Sequence, residues 1–281
     1  MPRAIDVHIH PFGPGGRPGP VDAMEREYFR STIEHQTVEE MADYYQRLDI
    51  LGVLVTIDDR TKTGRLPEAS NDFIAQLVQR YPKQFIGFGS VDPWMGQWAV
   101  DEAVRCVKEL GLRGFKFHPS QQHFFPDDQQ FYRLWEKISE LEVPILLHSG
   151  TTGVGIGQPG GGGIKLKYGK PIPHIDDLAA DFPGLNIILG HQAFPWVTEQ
   201  LAILVHKPNV YMDLSGWSPK YFDPQLIQYA NTRVKHKVLF GSDYPFISPE
   251  RWLDDFANAP FEDEVRPLIL LENAKRLLKL A

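Results

Sequence analysis

Residues 5–10 read IDVHIH, a short apolar run in which His8 and His10 stand two positions apart. Side chains two positions apart in a strand point to the same side, so both imidazoles can face one ion. Seven more apolar runs of strand length follow, and amphipathic helical patterns separate them. We predict these strands at 52–58, 85–91, 112–118, 144–149, 186–191, 210–214 and 237–243. Strands that alternate with helices are typical of parallel βα units.

The intervals between the predicted strands carry the marks of helices. Thr37 and Glu40 have the spacing of a capping box, and the apolar residues that follow recur at helical spacing. A second helical pattern runs from about residue 97 to Leu110, and Gly111 ends it. Eight βα units without a break in composition predict an α/β protein whose residues 1–281 form a single (β/α)8 TIM-type barrel. An open, doubly wound sheet is the alternative.

Two long segments fall outside the βα repeat, at 11–37 and 150–173. The second contains the run Gly160–Gly163, followed by Lys165 and Lys167. Long loops in a compact domain are usually functional, so a lid over the barrel mouth is one interpretation. Glycine amides and lysines together can also hold a phosphate or carboxylate, so an anion-binding loop is the other.

Composition and charge exclude several classes of partner. The 281 residues carry a formal net charge of −7 without a basic stripe, which argues against binding to nucleic acid. No apolar run reaches about 18 residues and the first residues lack a signal-peptide pattern, so we expect neither a membrane span nor secretion. Cys106 is the only cysteine, which excludes an intrachain disulfide and favours the cytoplasm.

Residues of the kind that bind metals recur where the predicted strands end. His8 and His10 end the first strand, while His148, His191 and Asp243 end the fifth, sixth and eighth. In a barrel the carboxyl ends of all strands meet at one rim, where active sites lie. Histidine nitrogens with one carboxylate suit Zn²⁺, which can lower the pKa of a bound water to about 7. The pattern therefore predicts a metal-dependent enzyme.

Several motifs resemble the amidohydrolase-related branch of the amidohydrolase superfamily, the branch that includes aminocarboxymuconate semialdehyde decarboxylase. They are HIHP (8–11), KFHP (116–119), LHSG (147–150), LGH (189–191) and GSDYP (241–245), within a match from about Ile5 to Leu280. The resemblance implies one divalent metal ion, usually zinc, with His8, His10, His148 and Asp243 as ligands. It also implies that His191 is an acid/base beside the metal, and Asp243 has a catalytic role as a proton acceptor. A dimer or larger homo-oligomer is implied as well.

Four further residues are candidates for substrate binding. Lys116 and His118 share one strand face and could hold an anionic group, although Lys116 could instead be a rim cation paired with a carboxylate. Arg60 follows the second predicted strand, with Arg65 beyond it, and a bidentate arginine is the best partner for a carboxylate. Trp217, like other aromatic residues near the rim, suits an aromatic-derived substrate, although packing is the simpler interpretation.

The reaction is less constrained than the site. Because arginines are scarce near the strand ends, we expect a hydrolase acting on a small carbonyl- or carboxylate-bearing substrate, including cleavage of a C–C bond or a lactone. A non-oxidative decarboxylase is the close alternative. A metal-dependent nuclease would need a basic surface, and a metal-free binding barrel would lack some of the ligands, so both are weaker hypotheses.

Overall fold

The computed structural model describes residues 2–13, 27–31 and 37–280. Its eight parallel strands are β1 Ala4–Ile9, β2 Ile50–Leu54, β3 Phe85–Gly87, β4 Phe115–Phe117, β5 Ile145–His148, β6 Ile187–Gly190, β7 Val210–Asp213 and β8 Val238–Leu239. Every predicted strand overlaps an observed one, and every observed strand ends earlier than predicted. The last residues of each predicted strand lie beyond the hydrogen-bonded part of the observed strand and form the rim of the barrel.

The strands close into a barrel in chain order. The ladders join β1 to β3 and β4 to β8, and two isolated bridges connect these sheets. Gly89 pairs with Phe115 beyond the end of β3, and Ile9 of β1 pairs with Tyr244 beyond the end of β8. The backbone N–H of His10 donates to the Tyr244 carbonyl at 2.8 Å. The predicted (β/α)8 barrel is therefore confirmed, and the doubly wound alternative is wrong.

Helices follow the strands and cover the outside of the barrel. They are α1 Val38–Leu48, α2 Arg60–Thr63, α3 Asn71–Arg80, α4 Gln97–Lys108, α5 Pro119–Gln122, α6 Tyr132–Glu140, α7 His174–Asp181, α8 Val197–His206, α9 Pro224–Asn231, α10 Pro249–Asn258 and α11 Asn273–Leu277. The predicted capping box is present: Thr37 Oγ1 accepts from the Glu40 N–H at 3.2 Å, and Glu40 accepts from the Thr37 N–H at 2.7 Å. No helix in the described ranges is long and apolar enough to cross a membrane.

Two apolar layers hold the barrel together. The interior is filled by aliphatic and aromatic side chains from most of the strands, among them Ile5, Val7, Val53, Ile86, Phe88, Leu146, Ile188 and Leu239. The larger cluster lies between the strands and the helices and includes Trp135, whose indole N–H donates to the Pro126 carbonyl at 2.8 Å. Because side chains fill the barrel below the rim, we expect the substrate site at the carboxyl ends of the strands.

The two long loops differ in how much of each is described. Of segment 11–37, residues 14–26 and 32–36 lie outside the described ranges. Segment 150–173 folds back on itself, since the Gly150 N–H donates to the Gly169 carbonyl at 2.7 Å. Short 3-10 helices occupy Pro159–Gly163 and Leu166–Gly169 within it. A side chain on Gly169 would lie 2.2 Å from the Gly150 carbonyl oxygen, so this crossing requires glycine.

Candidate active site

A cavity of about 860 Å³ opens at the rim of the barrel. Eight of the nine predicted site residues line it: His8, His10, Lys116, His118, His148, His191, Trp217 and Asp243. Six of them lie at the end of a strand or within four residues beyond it, and His8 and Lys116 are each the second-last residue of a strand. The structure therefore brings together residues from opposite ends of the chain, from His8 to Asp243.

Three of the predicted metal ligands form one donor group. Asp243 Oδ1 lies 3.7 Å from His8 Nε2 and 3.3 Å from His10 Nε2. One ligand atom from each residue lies within 4.8 Å of the other two. His8 and Asp243 are buried, whereas His10 is partly open to the cavity. Two imidazole nitrogens and one carboxylate oxygen converge here in the way that a divalent transition-metal ion requires.

A register shift in β1 aims His8 into the cavity. Val7 packs inside the barrel, yet His8, the next residue, also faces the interior. Neighbouring residues of a regular strand point to opposite sides, but the pairing of β1 with β2 is irregular between Asp6 and Ile9. Irregularities of this kind redirect side chains and are common beside active sites.

Two cavity residues hold a backbone conformation that costs energy. His191 has φ of 70° and Asp243 has φ of 67°, in the left-handed region that disfavours side chains with a Cβ. Gly216 lies between them: a Cβ built on it would be 2.6 Å from His191 Nδ1 and 3.2 Å from Asp243 Oδ2. Strain of this kind concentrates at functional sites, where the surrounding structure maintains it.

The buried carboxylate of Asp213 fixes the protonation of His8. Asp213 Oδ2 lies 3.0 Å from His8 Nδ1, and Asp213 Oδ1 accepts from the Ser215 backbone N–H at 2.9 Å. Burial by itself would raise the pKa of Asp213, but the interaction with His8 outweighs it and holds that pKa well below its usual range. An ionised Asp213 requires the proton of His8 on Nδ1, so Nε2 is unprotonated and its lone pair can bind a cation.

Lys116 is buried on the floor of the cavity and is therefore not a rim cation. Its Nζ lies 2.9 Å from His8 Nε2, and only 1% of the residue is exposed. Burial lowers the pKa of Lys116 to about 8. Burial and the neighbouring Lys116 charge lower the pKa of His8 to about 3, so the His8 ring is neutral at pH 7.

A second group of imidazoles lies beside the donor group. His148 Nδ1 and His191 Nε2 are 3.0 Å apart, and His148 Nε2 lies 2.9 Å from the Thr151 carbonyl oxygen. His118 stacks on His148 with ring centroids 3.8 Å apart, and its Nε2 lies 3.2 Å from Thr152 Oγ1. His148 is not one of the three residues whose ligand atoms converge at His8, His10 and Asp243, so its predicted role as a metal ligand stays a prediction.

Arg60 is the predicted site residue that the structure does not bring to the cavity. Its guanidinium bonds to both oxygens of Asp58, at 2.8 and 2.6 Å, and lies over the Trp98 ring at 4.4 Å from the centroid. The side chain is thus directed along the outer surface, toward the helices. Arg65 and Arg251 line the cavity instead.

Sequence reasoning overlooked two kinds of residue at this site. Asp213 ends β7 and could have been found as another strand-end carboxylate. Arg251 belongs to α10, and no local pattern reveals that its side chain turns toward the cavity. Lys165 and Lys167 were considered as anion ligands, but neither lines the cavity. Lys167 Nζ lies over the Tyr168 ring, 4.9 Å from its centroid.

Comparison with known proteins identifies the family. Residues 5–280 match the family model described as Amidohydrolase. The chain belongs to the amidohydrolase family. It is 26% identical over 261 residues to a gamma-resorcylate decarboxylase of Polaromonas sp., a match that covers 80% of this chain and 79% of the relative. The predicted family is therefore confirmed, and this amidohydrolase is an enzyme.

Solved structures agree on the fold of this amidohydrolase. An uncharacterized TIM-barrel protein from Bordetella bronchiseptica superimposes with a TM-score of 0.80 at 24% identity, covering 98% of both chains. A dihydroxybenzoic acid decarboxylase from Polaromonas sp., with bound manganese and the inhibitor 2-nitroresorcinol, gives a TM-score of 0.70 at 21% identity. That match covers 99% of this chain and 97% of the decarboxylase. At these identities the superpositions establish the barrel.

Proposed function

We propose that this amidohydrolase is a metal-dependent carboxy-lyase that removes CO₂ from a small aromatic carboxylic acid. The observation that carries the proposal is the convergence of His8, His10 and Asp243 on the floor of a cavity that Trp217 also lines. Most of the matched relatives are decarboxylases. This supports decarboxylation, our alternative from the sequence, better than the hydrolysis that we first expected.

The proposed enzyme uses one divalent metal ion. His8, His10 and Asp243 would hold it. We keep His148 as a proposed fourth ligand, which would exchange its contact with His191 or Thr151 for the metal. When bound, such an ion binds and polarises substrate oxygen atoms. A donor group rich in imidazole favours zinc, whereas the decarboxylase structure from Polaromonas sp. contains manganese. Elemental analysis of protein purified without added metal distinguishes the two metals.

The remaining chemistry concerns one proton. Loss of CO₂ breaks the bond between the carboxylate carbon and the ring and leaves an electron pair on the ring carbon, which must then take up a proton. We propose that His191, which hydrogen bonds with His148, supplies this proton. Asp243 then delivers it to the ring carbon. Asp243 Oδ2 is the carboxylate oxygen other than the one that contacts His8 and His10. Both residues line the cavity, as proton transfer to a bound substrate requires.

Substrate binding is assigned to the cavity residues outside the donor group. Lys116 provides a cation for the carboxylate, His118 lies beside it on the same wall, and Trp217 offers an aromatic face. We withdraw Arg60 from this set because its guanidinium is paired with Asp58.

Hydrolysis of a carbonyl substrate remains the second candidate. The observation in its favour is that His191 and Asp243 could equally accept a proton from water at the same donor group. The two reactions differ in their products, because only decarboxylation releases CO₂ without consuming water.

The test uses the metal-loaded enzyme with 2,6-dihydroxybenzoate and related hydroxybenzoates. We expect release of one CO₂ for each phenol formed, loss of activity with a chelator, and recovery when zinc or manganese is added. Asp243→Asn, which removes the charge but tolerates the left-handed backbone, is expected to be inactive. Cleavage of lactones or β-keto acids by the loaded enzyme, with no CO₂ released from any benzoate, would support the hydrolase instead.

A further inference from the structure

An arginine that forms no ion pair with the described residues distinguishes the outer part of the cavity from its floor. Arg251 lines the cavity, and its side chain is half-buried there. One guanidinium nitrogen, Nη1, donates to the Phe29 carbonyl at 3.1 Å. Within residues 2–13, 27–31 and 37–280, no carboxylate forms an ion pair with Arg251. The guanidinium therefore keeps N–H donors for a ligand.

The position of Arg251 on its helix is electrostatically unfavourable. It is the third residue of α10, and its backbone N–H donates to the N-cap Ser248 Oγ at 3.2 Å. The first turn of a helix carries a partial positive charge, which favours anions and disfavours a cation such as arginine. Glu250 in the same turn offsets part of this charge, so the Arg251 side chain, which lines the cavity, is the group that favours an anionic ligand there.

Arg251 also differs from the other arginines at the cavity. Arg30 and Arg65 are exposed and lie outside the numbered helices that cover the barrel, so water screens their charges. Arg251 is held by the helix backbone and partly shielded from solvent. A fixed, half-buried guanidinium binds a carboxylate more strongly than an exposed, mobile one does.

Aromatic rings lie between Arg251 and the donor group. The Phe29 ring, whose backbone carbonyl accepts from Arg251, lies 5.0 Å from the Phe246 ring. The Phe246 ring in turn lies 6.2 Å from the ring of His10. Phe29 and Phe246 line the same cavity as Arg251, so the ring of an aromatic substrate that reaches from the donor group toward Arg251 can pack against them.

We infer that Arg251 binds a second carboxylate of the substrate, remote from the one that reacts at His8, His10 and Asp243. The substrate class is then an aromatic acid with two carboxylates on opposite parts of its ring. This inference rests on the proposed function for the identity of the reacting end. The inference adds Arg251 to the proposed site as the residue that selects diacids over monoacids.

The experiment measures binding of two probes to the metal-loaded enzyme by calorimetry. The probes are 2-hydroxybenzoate and 2-hydroxyterephthalate, which differ by one carboxylate. The wild-type enzyme is expected to bind the diacid at least about ten times more tightly, because hydrogen bonds to a charged group are worth about ten- to a hundredfold in affinity. Arg251→Gln should remove this preference and leave the Kd for 2-hydroxybenzoate within about threefold. Arg251→Lys, which keeps the charge but not the paired N–H groups, should be intermediate.

Arg65→Gln is the matched control, since it removes the same charge from an exposed position at the same cavity. It should leave the diacid preference intact. Equal weakening of both probes by Arg251→Gln, an equal effect of Arg65→Gln, or no preference in the wild type would each overturn the inference. Release of CO₂, followed in parallel, separates the two proposals. Preference for the diacid without CO₂ release would contradict only the reaction, and CO₂ release without an Arg251-dependent preference would contradict only the second subsite.

Discussion

Replacement of Asp213 by asparagine tests whether His8 is prepared for a metal by its buried partner. In the structure, Asp213 Oδ2 accepts the Nδ1 proton of His8 at 3.0 Å. In Asp213→Asn the amide oxygen can keep the bonds from the backbone N–H groups of His191 and Ser215. The amide NH₂ group then faces His8 Nδ1, and two donors would oppose each other.

The expected loss of metal affinity follows from this conflict between two N–H donors. His8 relieves it by moving its proton to Nε2, which removes the lone pair directed toward His10 and Asp243. Partners of metal-binding histidines typically account for about 10- to 100-fold in metal affinity, or about 1.4–2.7 kcal/mol. We therefore expect the Kd for zinc to rise by that factor in Asp213→Asn, with activity falling in parallel at limiting metal.

Competition with a chromophoric chelator measures the metal Kd, and thermal unfolding of the metal-free protein measures the stability separately. The matched control is Asp92→Asn, another fully buried carboxylate, whose partners are Thr61 and the Trp94 N–H rather than a ring nitrogen. Asp92→Asn should leave the metal Kd unchanged, whatever it does to stability. An unchanged metal Kd in folded Asp213→Asn protein would refute the role assigned to Asp213.

Three further predictions concern single residues. Gly216→Ala should lower turnover about 100-fold, because its Cβ would lie 2.6 Å from His191 Nδ1. Gly64→Ala, with a similar φ of +68° and open space around it, should keep full turnover; equal losses would contradict the steric argument. His148→Ala should lose its metal on dialysis, and retention of one ion per chain would remove His148 from the ligands. Cys106 is fully buried and burial raises its pKa, so the native protein should not react with Ellman's reagent at pH 8, whereas the unfolded chain should release one equivalent.

The sequence by itself determined the barrel and most of its functional rim. The apolar runs that become β1 to β8 are local patterns, and parallel strands joined by helices close in only a few ways. Because all strands of such a barrel end on one face, His8, His148, His191 and Asp243 could be assigned to one site without coordinates. Their positions near the strand ends were sufficient for this assignment.

Only the tertiary structure decided which way the neighbouring side chains turn. Arg60 follows β2 but pairs with Asp58, whereas Arg251, inside α10, reaches the cavity. Likewise the contact between Asp213 and His8 joins residues 205 positions apart. Strand and helix periodicity reflects interactions between near neighbours in the chain, whereas the direction of a loop or helix side chain depends on partners that only the closed barrel brings within reach.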